Sequence, residues 1–177
     1  TGGDGGAGGS GVVVVRYKVN AAMQEDEGAV ASGGNIYKNG SKIVHAFLAT
    51  GTFIAPASFN KTIEYVMIGA GGGGGARIGG GGGSGGYYTN PSTPITGPAS
   101  YTITVGGGGT RGDTPTSAGN GNPVVIAFPS PVTCGGGGYG GSYDQVGGNG
   151  SAGGGGHAGN GGGGGGMQNP PGSPTPG

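Results

Sequence analysis

Unbroken glycine runs at residues 71–75, 79–83, 135–138, 153–156 and 161–166 constrain this chain more than any other feature. They offer no side chain for a pocket wall, a nucleophile or a metal ligand. With 55 glycines among 177 residues, nearly a third of the sequence is unavailable for catalysis. Glycine also loses more conformational freedom on folding than any other residue, roughly 0.5–1 kcal/mol beyond alanine per position, so the runs together oppose order by some tens of kcal/mol. Either they stay loose or a regular arrangement offsets that cost.

Collagen is not that arrangement, because its triple helix needs glycine at every third position, and residues 12–19, 43–49 and 62–68 contain none. A polyglycine strand can instead adopt the extended three-residue helix of the polyproline II class, which has no internal hydrogen bonds. Its N–H and C=O groups then point outward and need partners. Neighbouring copies of the same helix can supply them, since no side chain keeps two such backbones apart. The expected form is a bundle of polyglycine II helices.

The rest of the composition predicts an inert object. Seven basic and seven acidic residues cancel and only 8% of the chain is charged, which leaves no electrostatic footprint for nucleic acid. No apolar stretch of 18 residues is present to cross a membrane as a helix. No cofactor is expected either: matches to Gly-x-Gly-x-x-Gly are automatic in glycine runs, and no Gly-Lys-Ser or Gly-Lys-Thr follows one. Glu25-Asp26-Glu27 lacks the spaced oxygen ligands of a calcium loop and reads as solvated linker. His45 and His157 have no nucleophile in a recognisable setting and read as structural; no metal or catalytic residue is assigned. Cys134 has no partner within the chain and reads as a small buried hydrophobe. Arg111-Gly112-Asp113 is a tripeptide that arises readily by chance in such a sequence. The absence of an initial Met or signal sequence suggests a processed subunit or part of a longer chain.

Strand signals separate the glycine runs. After a flexible or polyglycine arm at 1–11, Val12, Val13, Val14, Val15, Arg16 and Tyr17 open a strand extending to Val19, apolar on both faces at its start. Residues 20–34 are polar and small, a linker. Residues 35–38 and 41–48 flank Asn39-Gly40, which predicts a hairpin with a type I′ turn. Further strands are predicted at 51–54, 62–68, 100–105 and 123–128, with Gly, Pro and Ser between them. No helical periodicity occurs. The fold expected is all-β, an antiparallel β-sandwich of jelly-roll type, with glycine-rich loops running out from strand ends. The domain is bounded at 35–168 and followed by a Pro-rich spacer at 169–177. Asn39, Asn60 and Asn149 stand in glycosylation sequons.

Gly51-Thr52-Phe53-Ile54-Ala55-Pro56, then Tyr65-Val66-Met67-Ile68-Gly69-Ala70 and Tyr101-Thr102-Ile103-Thr104-Val105, each of the latter two entering a glycine run, resemble the glycine-rich domain of phage tail fibres and bacterial surface proteins. That family's domain closes with a Gly-Gly-Ser-Gly segment and a valine strand ending in Arg-Tyr. Here the matching element, Gly8-Gly9-Ser10-Gly11-Val12-Val13-Val14-Val15-Arg16-Tyr17, comes first. The resemblance therefore implies one period of a tandem array, or a strand donated to a neighbouring subunit; folding back into its own domain is the third arrangement. The function expected is a non-enzymatic subunit of an extracellular fibre, its partner another copy of itself. The rival is an adhesin or tail-fibre module that contacts a cell-surface glycan or receptor through loop tips, with Tyr87, Tyr88, Tyr139 and Tyr143 as contacts. An ice-binding bundle would want a flat regular face, and runs of unequal length do not predict one.

Overall fold

The computed structural model describes residues 3–19, 30–113, 117–158 and 162–166. The acidic triplet at 25–27 and the Pro-rich spacer at 169–177 lie outside them. Among the described residues the protein is all-β. Its strands are β1 (Val12–Lys18), β2 (Asn35–Asn39), β3 (Lys42–Phe47), β4 (Gly51–Ala55), β5 (Asn60–Ile68), β6 (Tyr87–Thr96), β7 (Ala99–Thr104), β8 (Val124–Ile126) and β9 (Val132–Cys134). They form two antiparallel sheets, one in the order β2-β3-β1-β5-β6 and the other in the order β4-β7-β8-β9.

Period-two alternation dictates what fills the space between them. Val13, Val15 and Tyr17 of β1, Ile43, His45 and Phe47 of β3, and Ile63, Tyr65 and Met67 of β5 point inward and are buried. Phe53, Ile103, Ile126 and Val132 meet them from the other sheet. All four phenylalanines of the chain, Phe47, Phe53, Phe59 and Phe128, lie in this core at 2% exposure or less, so the phenylalanines are spent on the sandwich.

Two strands were not read from the sequence. β6 carries Pro91 and Pro94, which cannot donate to a ladder; it is an edge strand with a register shift opposite Ile63 and Tyr65, where proline is tolerated. β9 has only three residues. The β2–β3 hairpin forms as expected, but Asn39 pairs with Lys42, so the two turn residues are Gly40 and Ser41. Of the two, only Gly40 has positive φ, at 58°, which matches a type II′ turn in place of the predicted I′. Nor is the 20–34 segment wholly a solvated linker. Ala31 is buried, and Ser32 exchanges both backbone hydrogen bonds with Ile54, covering the edge of β4.

The six glycine-rich runs that adjoin these strands leave or enter the same end of the sandwich. Run 3–11 leads into β1, 79–86 into β6 and 117–123 into β8, while 69–77 continues β5, 105–113 continues β7 and 135–141 continues β9. Strand neighbours remain neighbours: 3–11, 69–77 and 79–86 form one layer, and 105–113, 117–123 and 135–141 form the other. Packed sheets stand about 10 Å apart because side chains fill the gap. Where the side chains end, the two layers meet directly, backbone on backbone.

Candidate functional site: the N-terminal ribbon and the glycine bundle

The hydrogen bonds of run 69–77 show how the bundle is built. Gly69, Gly72 and Gly75 donate to Gly86, Gly83 and Gly80; Gly71, Gly74 and Arg77 donate to Gly9, Gly6 and Gly3; Ala70 and Gly73 donate to Asn122 and Gly119. Its carbonyls in turn accept from other runs, Gly71 and Gly74 from Gly109 and Gly112, Ala70 and Gly73 from Gly137 and Gly140. Each neighbour is met at every third residue, the repeat of a polyglycine II helix. Run 69–77 therefore lies at the centre with five neighbours, and the expected side-by-side loops are a cross-linked lattice. A Cβ added at Gly72, Gly73 or Gly75 would overlap the carbonyl oxygen of Gly138, Thr110 or Gly141 respectively. Glycine is required there by the approach of another backbone.

The arm at 3–11 belongs to the same lattice and is not a loose tail. Gly5, Gly8 and Gly11 donate to Gly112, Gly109 and Gly106, while the carbonyls of Gly3, Gly6 and Gly9 accept from run 69–77. Its sequence repeats in triplets, so that Asp4, Ala7 and Ser10 carry the side chains, and a Cβ at Gly3, Gly6 or Gly9 would meet nothing within 4 Å. Glycine is obligatory only on the face that turns inward.

The arm continues directly into β1. In this chain β1 lies in the middle of its own sheet, with Val13 opposite Phe47 and Met67, Val15 opposite His45 and Tyr65, and Tyr17 opposite Ile43 and Ile63. Within this chain the strand fills the slot between β3 and β5, packed with strands of the 35–168 region. Nor is its start wholly buried: Val12 and Val14 are half-buried on the outer face, while Val13 and Val15 are fully covered. Residues 3–18 are thus one ribbon running the length of the molecule, bonded to 69–77 and 105–113 in the bundle and to β3 and β5 in the sandwich.

Polar groups pin the ribbon on both faces. On the outer face Arg16 bonds Glu64 at 2.6 Å, and Lys42 reaches the other carboxylate oxygen at 2.8 Å, joining β1, β3 and β5. The Lys42 hydrogen bond, with that of Arg16 next, holds the Glu64 carboxyl below its ordinary 4.5. Because the folded value is the lower one, the stabilisation is present above pH 4.5 and is lost as the pH falls through the folded value. Lys42→Ala is expected to move the Glu64 midpoint upward in a carboxyl NMR titration. An unchanged midpoint would mean that Arg16 alone sets it.

On the inner face the Tyr17 hydroxyl lies 3.3 Å from His45 Nε2 and accepts from the Ala31 amide at 3.0 Å, while His45 Nδ1 lies 2.8 Å from the Gly33 carbonyl. Burial pushes the Tyr17 hydroxyl up to about 12, against the smaller opposing effect of the Ala31 hydrogen bond. Sequence reading assigned His45 a structural place; the bonded residues, 12 to 28 positions apart across the sheet and the 30–34 return, carry no local signal.

The four tyrosines proposed as receptor contacts do not converge. Tyr87 and Tyr88 open β6 at the junction of sandwich and bundle, and Tyr88 stacks on Tyr65 at 6.0 Å. Tyr139 is half-buried within a glycine run. Tyr143 alone stands at the far tip, 59% exposed, with the Arg77 guanidinium 5.7 Å from its ring and the His157 ring at 5.4 Å. Exposed Ile78 and Val146 lie in the adjoining segments. The reason is topological: run 79–86 separates Tyr87 from the tip by about 25 Å at 3.1 Å per residue.

Asn39, Asn60 and Asn149 are all exposed, at the hairpin turn, the first residue of β5 and the bundle surface. Arg111 pairs with Asp4 at 3.4 Å, and Gly112 is bonded on both sides within the lattice, so the Arg-Gly-Asp tripeptide is part of the bundle. Cys134 is buried, and its thiol is pushed up by that burial. Among the described residues no group of His, Cys, Asp and Glu is arranged to hold a metal.

The model of the glycine-rich domain family matches residues 48–177, which is most of the chain, and the protein belongs to that family. The match begins at the β3–β4 connection, so the ribbon and the β2–β3 hairpin precede it. No curated protein and no solved structure matches the chain.

Proposed function

We propose that this member of the glycine-rich domain family is a structural subunit of an extracellular filament, in which each copy lays its 3–18 ribbon into the next. The observation that carries this reading is the continuity of the ribbon. One segment supplies both a central strand of the sandwich and an outer helix of the bundle. Its covalent link to the rest of the domain leaves from Val19, after the end of β1 that lies away from the bundle, and the described chain resumes at Val30. It can therefore be exchanged whole, every contact re-formed on the partner, which is the economy of strand addition and of swapped elements. The register is specified by Val13, Val15 and Tyr17, since a one-residue slip would turn all three outward. Extended, residues 19–30 span at most about 40 Å, which bounds how far away the receiving copy can stand.

Antiparallel partners make the test direct. Val14 faces Ala46 across β1 and β3, at a spacing a disulfide can bridge. Chains carrying only Val14→Cys, mixed with chains carrying only Ala46→Cys and oxidised after assembly, are expected to give cross-linked pairs. Pairs absent from the mixture, with efficient closure inside a single chain carrying both changes, would overturn donation. Removing residues 1–19 is expected to abolish filaments in electron micrographs, with added 3–18 peptide restoring a folded monomer.

The tip favours a second reading, an adhesin or phage tail-fibre module that contacts a cell-surface receptor. Its support is the exposed Tyr143 held by Arg77 and His157, with Ile78 and Val146 beside it. Loss of cell binding in Tyr143→Ala, with assembly intact, would favour this reading.

A further inference from the structure

The hydrogen bonds at His45 fix its tautomer. A carbonyl only accepts, so Nδ1, 2.8 Å from the Gly33 oxygen, carries the proton. Nε2 is then an acceptor, and the Tyr17 hydroxyl donates to it at 3.3 Å while its oxygen accepts from the Ala31 amide at 3.0 Å. Each polar group in this chain is used once and in one direction. The chain closes only with a neutral imidazole, and it joins three elements: β1 through Tyr17, β3 through His45, and the 30–34 return through Ala31 and Gly33.

Among the described residues, no acidic side chain faces the ring to pair with a charged imidazole. His45 is fully buried, with Phe53 of β4 at 5.1 Å edge-on and Tyr17 of β1 stacked at 5.6 Å, and Phe59 closes on Tyr17 at 5.0 Å. Tyr17 is the titratable group that faces it from β1; β4 offers Phe53, and the return offers the Gly33 carbonyl. Arg16, Lys42 and Glu64 sit on the opposite face of the same sheet, and the other described acids, Asp4, Asp113 and Asp144, lie in the bundle. A proton on Nε2 would point at a tyrosine oxygen that already accepts from Ala31, and would leave the hydroxyl hydrogen without an acceptor. Burial accordingly lowers His45 from its ordinary 6.5.

We propose that His45 is a proton-operated latch on the N-terminal ribbon: protonation breaks the Gly33–His45–Tyr17–Ala31 chain and frees β1, together with the 30–34 return, to leave its slot. The folded value lies below the unfolded one, so the latch holds fully above pH 6.5 and weakens as the pH falls below it. For a single proton the equilibrium for opening rises tenfold per pH unit within that window. The latch acts within one chain. Its use in assembly, releasing the ribbon in mild acid for capture by a neighbour, rests on the strand-donation reading.

Hydrogen exchange of the β1 amides, followed by mass spectrometry on the monomeric full chain and corrected for the intrinsic pH dependence, tests it. Wild type is expected to open about tenfold more per unit below pH 6.5, His45→Gln to show no such slope, and His157→Asn to keep it. A flat wild-type profile, or a slope that disappears with His157, overturns the latch. If His45→Gln does not fold, the nitrogen-15 shifts of the wild-type imidazole decide: a proton on Nδ1 is expected, and one on Nε2 contradicts the chain. Acid opening of monomers that never cross-link through Val14→Cys and Ala46→Cys would sink donation and leave the latch standing. Cross-linking that ignores pH would do the reverse.

Discussion

Gly73→Ala is expected to cost about 3 kcal/mol, at the upper end of what overpacking a well-packed interior does. Gly74→Ala, one residue on, is expected to be neutral or to stabilise by about 0.4–1 kcal/mol. The two glycines occupy one run, and nothing in the sequence separates them. Gly73 is buried and faces the 105–113 run so closely that a methyl group would fall on the Thr110 carbonyl oxygen. That oxygen is backbone and cannot swing away; the neighbouring helix would have to move, breaking the bonds from Gly109 to Gly71 and from Gly112 to Gly74. At Gly74 the nearest atom to a new Cβ is the Gly6 nitrogen at 3.5 Å, an ordinary contact. Alanine fits the extended conformation there and lowers the entropy of the unfolded chain. Urea midpoints of the two variants measure the difference. Equal midpoints would mean that the runs are not held in this lattice.

Phe53→Ala is the second large effect, about 3–5 kcal/mol, in the range for removing a buried aromatic side chain. Phe53 ties the sheets together: from β4 it meets His45 of the opposite sheet at 5.1 Å, Phe59 at 6.0 Å and Phe128 at 5.9 Å, with no exposed surface. Phe128 carries the contact on to Tyr65 at 5.4 Å and Tyr101 at 5.2 Å, so one deletion opens a cavity in the middle of the aromatic cluster. The chain has few large apolar residues with which to refill it. Ile54→Ala on the same strand, where the side chain is 45% exposed, is expected to change stability by less than about 0.5 kcal/mol. Comparable losses in the two variants would show that β4 does not face the core in this register.

Much of the sandwich is legible without coordinates, because its strands obey the alternation that half-burial imposes. Val12 to Tyr17, Lys42 to Phe47 and Asn60 to Ile68 all alternate in burial where the sequence alternates or is β-branched. Asn39-Gly40 marked the hairpin even though the turn itself shifted by one residue. The failures have equally local causes. Pro91 and Pro94 hid β6, since proline argues against any strand that is not at an edge, and edge position is a property of the sheet. The place of β1 between β3 and β5 pairs residues 24 or more positions apart, and no local pattern specifies that neighbour. The latch chain was hidden for the same reason: Tyr17, Ala31, Gly33 and His45 are brought together only when β1, β3 and the return have packed.

Glycine runs long enough to form helices of the polyglycine class, attached to the ends of β-strands, are a property of the sequence alone. So are the exclusion of collagen and the strand pattern that anchors the runs. Only the tertiary structure decided which glycines are necessary. A glycine's neighbours in the bundle depend on the register of runs that are far apart in the chain, and that register is handed down from the pairing of the strands above them. Gly6 is open to solvent, Gly5 is pressed against the Gly74 carbonyl, and the letters that encode them are the same.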